Sequence, residues 1–369
     1  MRINFALWGV SLTGGVRVLI EVANRLEQKG HNVTCTILGQ PWVYAQTPLE
    51  LQVTRVIRCE QAQLSPIRAR MLKLVDLAFN KSHFPYVREF KTEDPTKILA
   101  GSIPADVDAN IATFCLSAFA VHRSAKGRPF YYMQHYETLF FNDLYDQRTA
   151  DESYLLPLIR VANSSWLKQL LKSKCNVASE GPVLPGVDTS VFRHLDGEAN
   201  RSKRVVALGK STRWKGIFDL FDALKIVKQS IPDIELVMYG GEPWLADRAP
   251  VKSEYKMGLD DAGLARLYSS ADAVVVPSWY ESSPLVPLEA MACGTPVVAT
   301  NIGTSDYCQE TNSIVVEPRK PKEMSTAILS VLRNESLAES LRKEGRKTAS
   351  RFTWDKTADS FEKILKSYV

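Results

Sequence analysis

No stretch of this 369-residue chain approaches the ~18 consecutive apolar residues a bilayer-spanning helix needs. The chain opens on MRIN directly before an apolar strand pattern, so no signal peptide and a cytoplasmic setting are expected. Cysteine is sparse: Cys35, Cys59, Cys115, Cys175, Cys293 and Cys308 show neither C-x-x-C nor metal-ligand spacing. Most lie in apolar stretches, which points to buried reduced thiols and away from a disulfide scaffold or a metal site. The spacing G-x-G-x-x-G is missing, which argues against a dinucleotide dehydrogenase. Repeats and low-complexity runs are absent too. Charge is mild, at +5, and no aromatic stacking platform accompanies it, so a nucleic-acid partner is not expected.

What is present is an α/β rhythm. A 45% hydrophobic share is that of a globular protein, and the length suggests two domains. A strand at 3–7 leads through a glycine pair, Gly14 and Gly15, into an amphipathic helix with Val18, Leu19, Val22, Ala23 and Leu26 on one face. Further strands are predicted at 31–37, 109–114 and 130–134, with a short helix at 117–122. The stretch 179–203 is rich in proline, glycine and charge and marks a domain boundary. Beyond it come strands at 204–208, 234–239, 273–277 and 296–300, helices at 217–229 and 262–270, and a helical tail from 321. Least readable is 64–103, where Arg68, Arg70, Lys73, Lys81, Arg88, Lys91 and Lys97 interleave with apolar residues. A solvated face over a core accounts for that pattern; a basic helix lying on an anionic membrane is the alternative.

Chemistry concentrates at 281–300, which reads ESSPLVPLEAMACGTPVVAT. It follows a buried strand, and Ser283 is placed to cap a helix with Pro284 at its first position and Gly294 at its end. A helix start offers free backbone donors and positive potential, here at Ser282, Ser283, Leu285 and Val286. Glu281 and Glu289 on either side would repel phosphate, so their expected task is accepting hydrogen bonds from neutral hydroxyls. Hydroxyls at both ends and a diphosphate between describe a nucleotide-sugar. Elsewhere, GKSTRWKG at 209–216 gathers Lys210, Arg213 and Lys215 beside a glycine turn, suited to answering a diphosphate without metal. His135 ends a strand beside aromatic residues and Glu137, and can exchange a proton near neutrality or donate to a sugar hydroxyl. Tyr239-Gly240-Gly241 and Lys256-Met257-Gly258 are turns a base could stack near.

The segment PSWYESSPLVPLEAMACGTPVVAT, with its E-x7-E spacing, resembles the signature of retaining glycosyltransferases of family 4, whose fold is GT-B. GGVRVLIEVANRLEQKGHNVT resembles that family's amino-terminal glycine loop, and LPGVDTSVF at 184–192 its interdomain linker. The resemblance implies an α/β chain of two facing Rossmann-like domains: 1–185 on the acceptor side, joined by a returning helix at 352–369, and 186–351 binding the donor. It implies that Glu289 meets the ribose hydroxyls. Glu281 and the backbone amides of Ser282, Ser283, Leu285 and Val286 would hold the hexose, and Lys210 and Lys215 the diphosphate. Gly14 and Gly15 would lie under the phosphates, His135 beside the hexose and acceptor, and Gly240 and Met257 near the base. Lys210 stands where the family has arginine, so either it substitutes or Arg213 reaches in. Val16 stands where an acidic residue often precedes the family's arginine, which leaves Arg17 with no assigned role.

The expected reaction is transfer of a hexose from a UDP-sugar, glucose first, to a saccharide or lipid-linked saccharide. The setting would be cell-surface polysaccharide or glycolipid assembly, with no cofactor, no metal, and possible peripheral contact at the inner membrane face. Rivals are a GT-B sugar-nucleotide epimerase, a pyridoxal-phosphate phosphorylase and a non-catalytic sugar-binding partner.

Overall fold

The computed structural model describes residues 1–9, 14–38, 94–195 and 202–369, and the backbone of 55–57. In the first half, β1 (Arg2–Leu7), α1 (Gly14–Gln28), β2 (Asn32–Leu38), β3 (Arg55–Ile57), α2 (Pro95–Ser102), β4 (Ala109–Ala112), α3 (Cys115–Ser124), β5 (Arg128–Met133), α4 (Leu144–Leu155), β6 (Ile159–Ala162) and α5 (Ser165–Cys175) follow one another. The second half runs β7 (Arg204–Leu208), α6 (Ile217–Ser230), β8 (Glu235–Gly240), β9 (Lys252–Met257), α7 (Asp261–Ser269), β10 (Ala273–Val276), α8 (Leu285–Ala292), β11 (Val297–Thr300), β12 (Ile314–Val316), α9 (Pro321–Arg333), α10 (Glu335–Ala349) and α11 (Trp354–Lys366).

The strands form two sheets, β3-β2-β1-β4-β5-β6 and β12-β11-β10-β7-β8-β9, and every pairing within them is parallel. Central strands such as β4, β10 and β11 are buried throughout, the burial that a parallel sheet covered on both faces demands. Read from its far edge, the second sheet repeats the strand order of the first. Each therefore has a switch point, between β1 and β4 and between β7 and β10, where crossovers diverge and a crevice opens. The loops leaving β7 and β10 carry Lys210 and Lys215, and Glu281, and the segment leaving β1 leads to Gly14 and Gly15 at the start of α1.

Helix α1 buries Val18, Leu19, Val22, Ala23 and Leu26, the face its sequence pattern presents. Helix α11 leaves the second half and packs on the first: Trp354, Phe361 and Leu365 share a core with Phe5, Leu26, Phe130 and Tyr132. The Phe361 ring centre lies 4.8 Å from that of Tyr132 and 6.2 Å from that of Phe5. The chain thus has two parallel-sheet α/β halves with a returning carboxyl-terminal helix.

Several local expectations change. The helix after β10 begins at Leu285, not Pro284, and Ser283 does not cap it: its hydroxyl is buried with no partner among the described residues. Pro284 occupies the cap position in extended conformation, and Tyr307 OH donates to its carbonyl at 2.5 Å. Cys35, Cys115, Cys293 and Cys308 are buried free thiols and Cys175 is half-buried, while Cys59 lies outside the described residues. The basic pattern at 64–103 also lies outside them up to residue 93. Among the described residues no helix is long and apolar enough to cross a membrane.

Candidate functional site

The carboxyl edges of the two sheets meet across a cleft, and side chains tie the halves together. Ser282 donates to Asn163 Oδ1 and sits 3.1 Å from Ser164 Oγ; Ser165 N donates to Asp306 Oδ2 at 2.9 Å. Gly14, at the start of α1, faces Leu285 at the start of α8, near enough that a Cβ there would reach ordinary contact at 3.8 Å. A Cβ on Gly15 would likewise meet only Gln134, at 3.6 Å.

The backbone N–H groups of Ser282, Ser283, Leu285 and Val286 find no protein acceptor among the described residues. They surround the start of α8, where unpaired donors and the helix dipole favour an anion or an oxygen-rich ligand. Glu281 stands beside them. Its Oε1 accepts from Lys215 Nζ at 2.6 Å and from Ser278 Oγ at 2.8 Å, while Oε2 has no partner among the described residues. Lys215 is held by the turn Arg213–Lys215, closed by Gly216 in the left-handed region at φ 68°. A Cβ at Gly216 would overlap the Pro277 carbonyl oxygen, so only glycine lets the β7 loop reach the β10 loop this closely. Lys210 stands apart from that pair. Its Nζ is 3.7 Å from Glu242 Oε1, and Glu242 also accepts from Ser211 N at 2.8 Å. Arg213 turns away, its guanidinium 5.1 Å from the Trp279 ring centre.

Glu289 lies in the second turn of α8 and is only 6% exposed. Tyr268 OH donates to its Oε2 at 3.2 Å, and Tyr239 OH stands 2.6 Å from Tyr268 OH. From the opposite domain, Arg17 Nη1 approaches Glu289 Oε1 at 3.5 Å. Burial pushes the Glu289 carboxyl up to about 7; the Arg17 cation opposes the rise, and the negative charge of Asp261 adds to it.

His135 is buried among Phe140, Trp166 and Tyr280, at ring-centre distances of 4.6, 5.9 and 6.0 Å. Its Nδ1 is 3.1 Å from the Tyr136 carbonyl oxygen, while its Nε2 is buried and has no partner among the described residues. Burial lowers its basicity, the negative charge of Glu281 raises it, and the Lys215 cation lowers it. Glu137, expected beside it, points elsewhere. Its Oε2 accepts from Cys115 N at 2.5 Å at the start of α3, and burial pushes this carboxyl up to about 8.

Gly240 and Met257 end neighbouring strands and pair in register, so the two turns assigned to a base lie side by side. Met257 is 59% exposed, and Gly240 packs against Tyr255 and Gly209. The structure therefore brings Glu281, Lys215 and His135 together at the start of α8 and lays Gly14 over it. Glu289 lies deeper, against α7, and Lys210, Gly240 and Met257 occupy the β7–β9 side. Sequence reasoning missed Arg17, Asp261 and Tyr268, because nothing in a linear pattern shows that residues 17 and 261 meet. The hydrophobic-to-charged break at Arg17 in the first turn of a buried-face helix was the one available signal.

Comparison with known proteins adds an independent reading. Residues 192–348 match the family described as Glycosyl transferases group 1. The D-inositol 3-phosphate glycosyltransferase of Segniliparus rotundus is 32% identical over 208 residues, 50% of this chain and 46% of that protein. That of Jonesia denitrificans is 31% identical over 208 residues, 48% of each chain. The chain spans about half the length of the curated relatives it matches. Among solved structures, sucrose-phosphate synthase from Thermosynechococcus elongatus superposes with a TM-score of 0.72 at 17% identity, over 100% of this chain and 99% of that one. HepE of Anabaena, solved with UDP-glucose, gives 0.71 at 16% identity over all of both chains. Likeness at that identity speaks for the fold. The chain has the GT-B fold, and its residues 192–348 are similar to the group 1 glycosyl transferases.

Proposed function

We propose that this chain transfers a hexose from a nucleotide-sugar to an acceptor hydroxyl, with retention at the anomeric carbon. UDP-glucose is the first donor to try. The observation that carries the reading is the cluster at the start of α8: four unpaired backbone N–H groups, a carboxylate on either side, and Lys215 against Glu281. An HepE structure that holds UDP-glucose on the same fold favours the UDP class.

In this reading Glu289 accepts from the ribose hydroxyls. Glu281 uses its unoccupied Oε2 for a hexose hydroxyl while Lys215 and Ser278 fix Oε1. The amides at 282, 283, 285 and 286, with Lys215, take up charge that builds on the departing diphosphate, a preorganised electrostatic effect in a half-buried cleft. Lys210 joins them by leaving Glu242, which is 3.7 Å away. The His135 Nε2, buried and unpartnered, donates to or accepts from a hydroxyl of the hexose or acceptor. The departing phosphate oxygen takes the acceptor's proton on the face it leaves, so the lysines and amides serve where other transferases use a divalent cation. A saccharide or lipid-linked saccharide is the acceptor class, with cell-surface polysaccharide or glycolipid as the product and the membrane's inner face as the working surface.

Incubation with UDP-, GDP- and ADP-hexoses tests the class. The reading expects nucleoside diphosphate release that depends on acceptor, persists in chelator, and yields a product of unchanged anomeric configuration by NMR. An epimer formed from donor alone would favour the epimerase, and the lack of any nucleotide affinity would favour a non-catalytic sugar-binding role.

A further inference from the structure

Among the described residues, Arg17 is the one side chain of the first domain that pairs with both Asp261 and Glu289. Its guanidinium forks onto Asp261, Nη1 to Oδ1 at 2.9 Å and Nη2 to Oδ2 at 2.8 Å, and Nη1 also approaches Glu289 Oε1 at 3.5 Å. The group lies 5.5 Å from the Phe192 ring centre and is 20% exposed. A planar fork of this kind fixes geometry as well as charge. The two partners come from different helices of the second domain, α7 and α8, so one side chain of the first domain ties both to it.

We propose that Arg17 is a positioning residue that, from across the domain interface, sets the charge state and orientation of Glu289, and so nucleotide affinity. This rests on the reading of Glu289 as the ribose-binding carboxylate. Arg17 itself touches no substrate. Clamped to Asp261, it presents one N–H to Oε1 of Glu289 while Tyr268 holds Oε2, so the carboxylate meets the ribose in one orientation. Without Arg17, a buried carboxylate beside Asp261 takes up a proton, and one of its oxygens becomes a donor where the ribose needs an acceptor.

The groups facing Glu289 are Arg17 on α1, with Glu21 behind it, Asp261 and Tyr268 on α7, Tyr239 on β8 and Cys293 at the end of α8. Burial pushes Tyr239, Tyr268 and Cys293 upward, so these three keep their protons across the neutral range. The sign follows for Glu289. Affinity that needs the ionised carboxylate is present above its pKa and is lost as pH falls through it. Removing Arg17 moves that loss to higher pH.

Calorimetric titration with UDP, GDP and ADP on the full chain tests this, at about pH 7 and about pH 9. For Arg17→Met, affinity for the preferred nucleotide should fall about tenfold near pH 7 and largely recover near pH 9, the scale expected when a buried carboxylate loses a nearby cation. Arg17→Lys, which keeps the charge without the fork, should stay closer to wild type and carries the comparison if the methionine variant folds poorly. An equal loss at both pH values, or no loss, overturns the proposal. Glu289→Gln separates the two claims. If it binds nucleotide as wild type does, the ribose assignment fails; if it binds weakly while Arg17→Met follows wild type at both pH values, only the role of Arg17 fails.

Discussion

Lys215 and Glu281 hold each other at 2.6 Å, each partly withdrawn from solvent, so neither can be removed without changing the charge its partner presents. Lys215→Ala should lower turnover by roughly a hundredfold or more, the usual cost of losing one group that stabilises developing charge. Steady-state kinetics with the best donor checks it, and near-wild-type turnover would remove Lys215 from the mechanism. A different carboxyl sets a pH signature on stability. Glu137 titrates near 8 in the fold against 4.5 for an ordinary glutamate, so the folded state holds a proton the unfolded chain has released. Stability should therefore decline as pH rises from about 4.5 through about 8, and Glu137→Gln should flatten that decline in urea titrations. The E-x7-E spacing and the lysine loop were legible from sequence because each is set by residues a few positions apart. Arg17 was not, since its fork depends on a partner 244 residues away. The direction of the Glu137 side chain was not legible for a related reason. Adjacency to His135 in sequence says nothing about which way a side chain turns after a strand ends, and Glu137 turned to the start of α3.

At the scale of elements, the parallel strands and the amphipathic helices declared themselves through period and composition. β10 and β11 are continuous apolar runs, and α1 buries the face its spacing presents. Their ends were harder to read. Ser283 carries the residue type and position of a cap, yet Pro284 holds the extended cap conformation and Tyr307 engages its carbonyl. A tertiary contact thus displaced a local preference. Turns are where the element scale makes its own prediction. Gly216 holds a positive φ, and its missing Cβ leaves room for the Pro277 carbonyl, which brings Lys215 to Glu281. Gly216→Ala should cost about 1–3 kcal/mol from backbone strain alone. It should also weaken activity, because relieving the overlap pulls the β7 loop from the β10 loop. Denaturant midpoints and turnover measured on the same preparation check both, and an alanine variant equal to wild type in each would show that the close approach is dispensable.

Across the whole molecule, the two halves share one architecture and are stitched by a helix that belongs to one half in sequence and the other in packing. Phe361 is fully buried against Phe5 and Tyr132. Phe361→Ala should destabilise the first domain by about 3–5 kcal/mol, visible as an earlier transition in thermal unfolding. Unchanged unfolding would mean α11 packs only loosely on that domain. The two-domain plan could be read from length, the repeated α/β rhythm and the proline- and glycine-rich stretch at 179–203. Which side chains cross the cleft could not, because contacts such as Ser282 with Asn163 and Arg17 with Asp261 exist only once both halves are folded and facing. The central claim is that the start of α8, between its two glutamates, is the seat of an activated sugar. A crystal structure of the chain with a UDP-hexose tests it most directly. The account predicts the ribose hydroxyls within hydrogen-bonding distance of Glu289 and the diphosphate against the amides of Leu285 and Val286 with Lys215 beside it. Nucleotide density anywhere else in the molecule would contradict it.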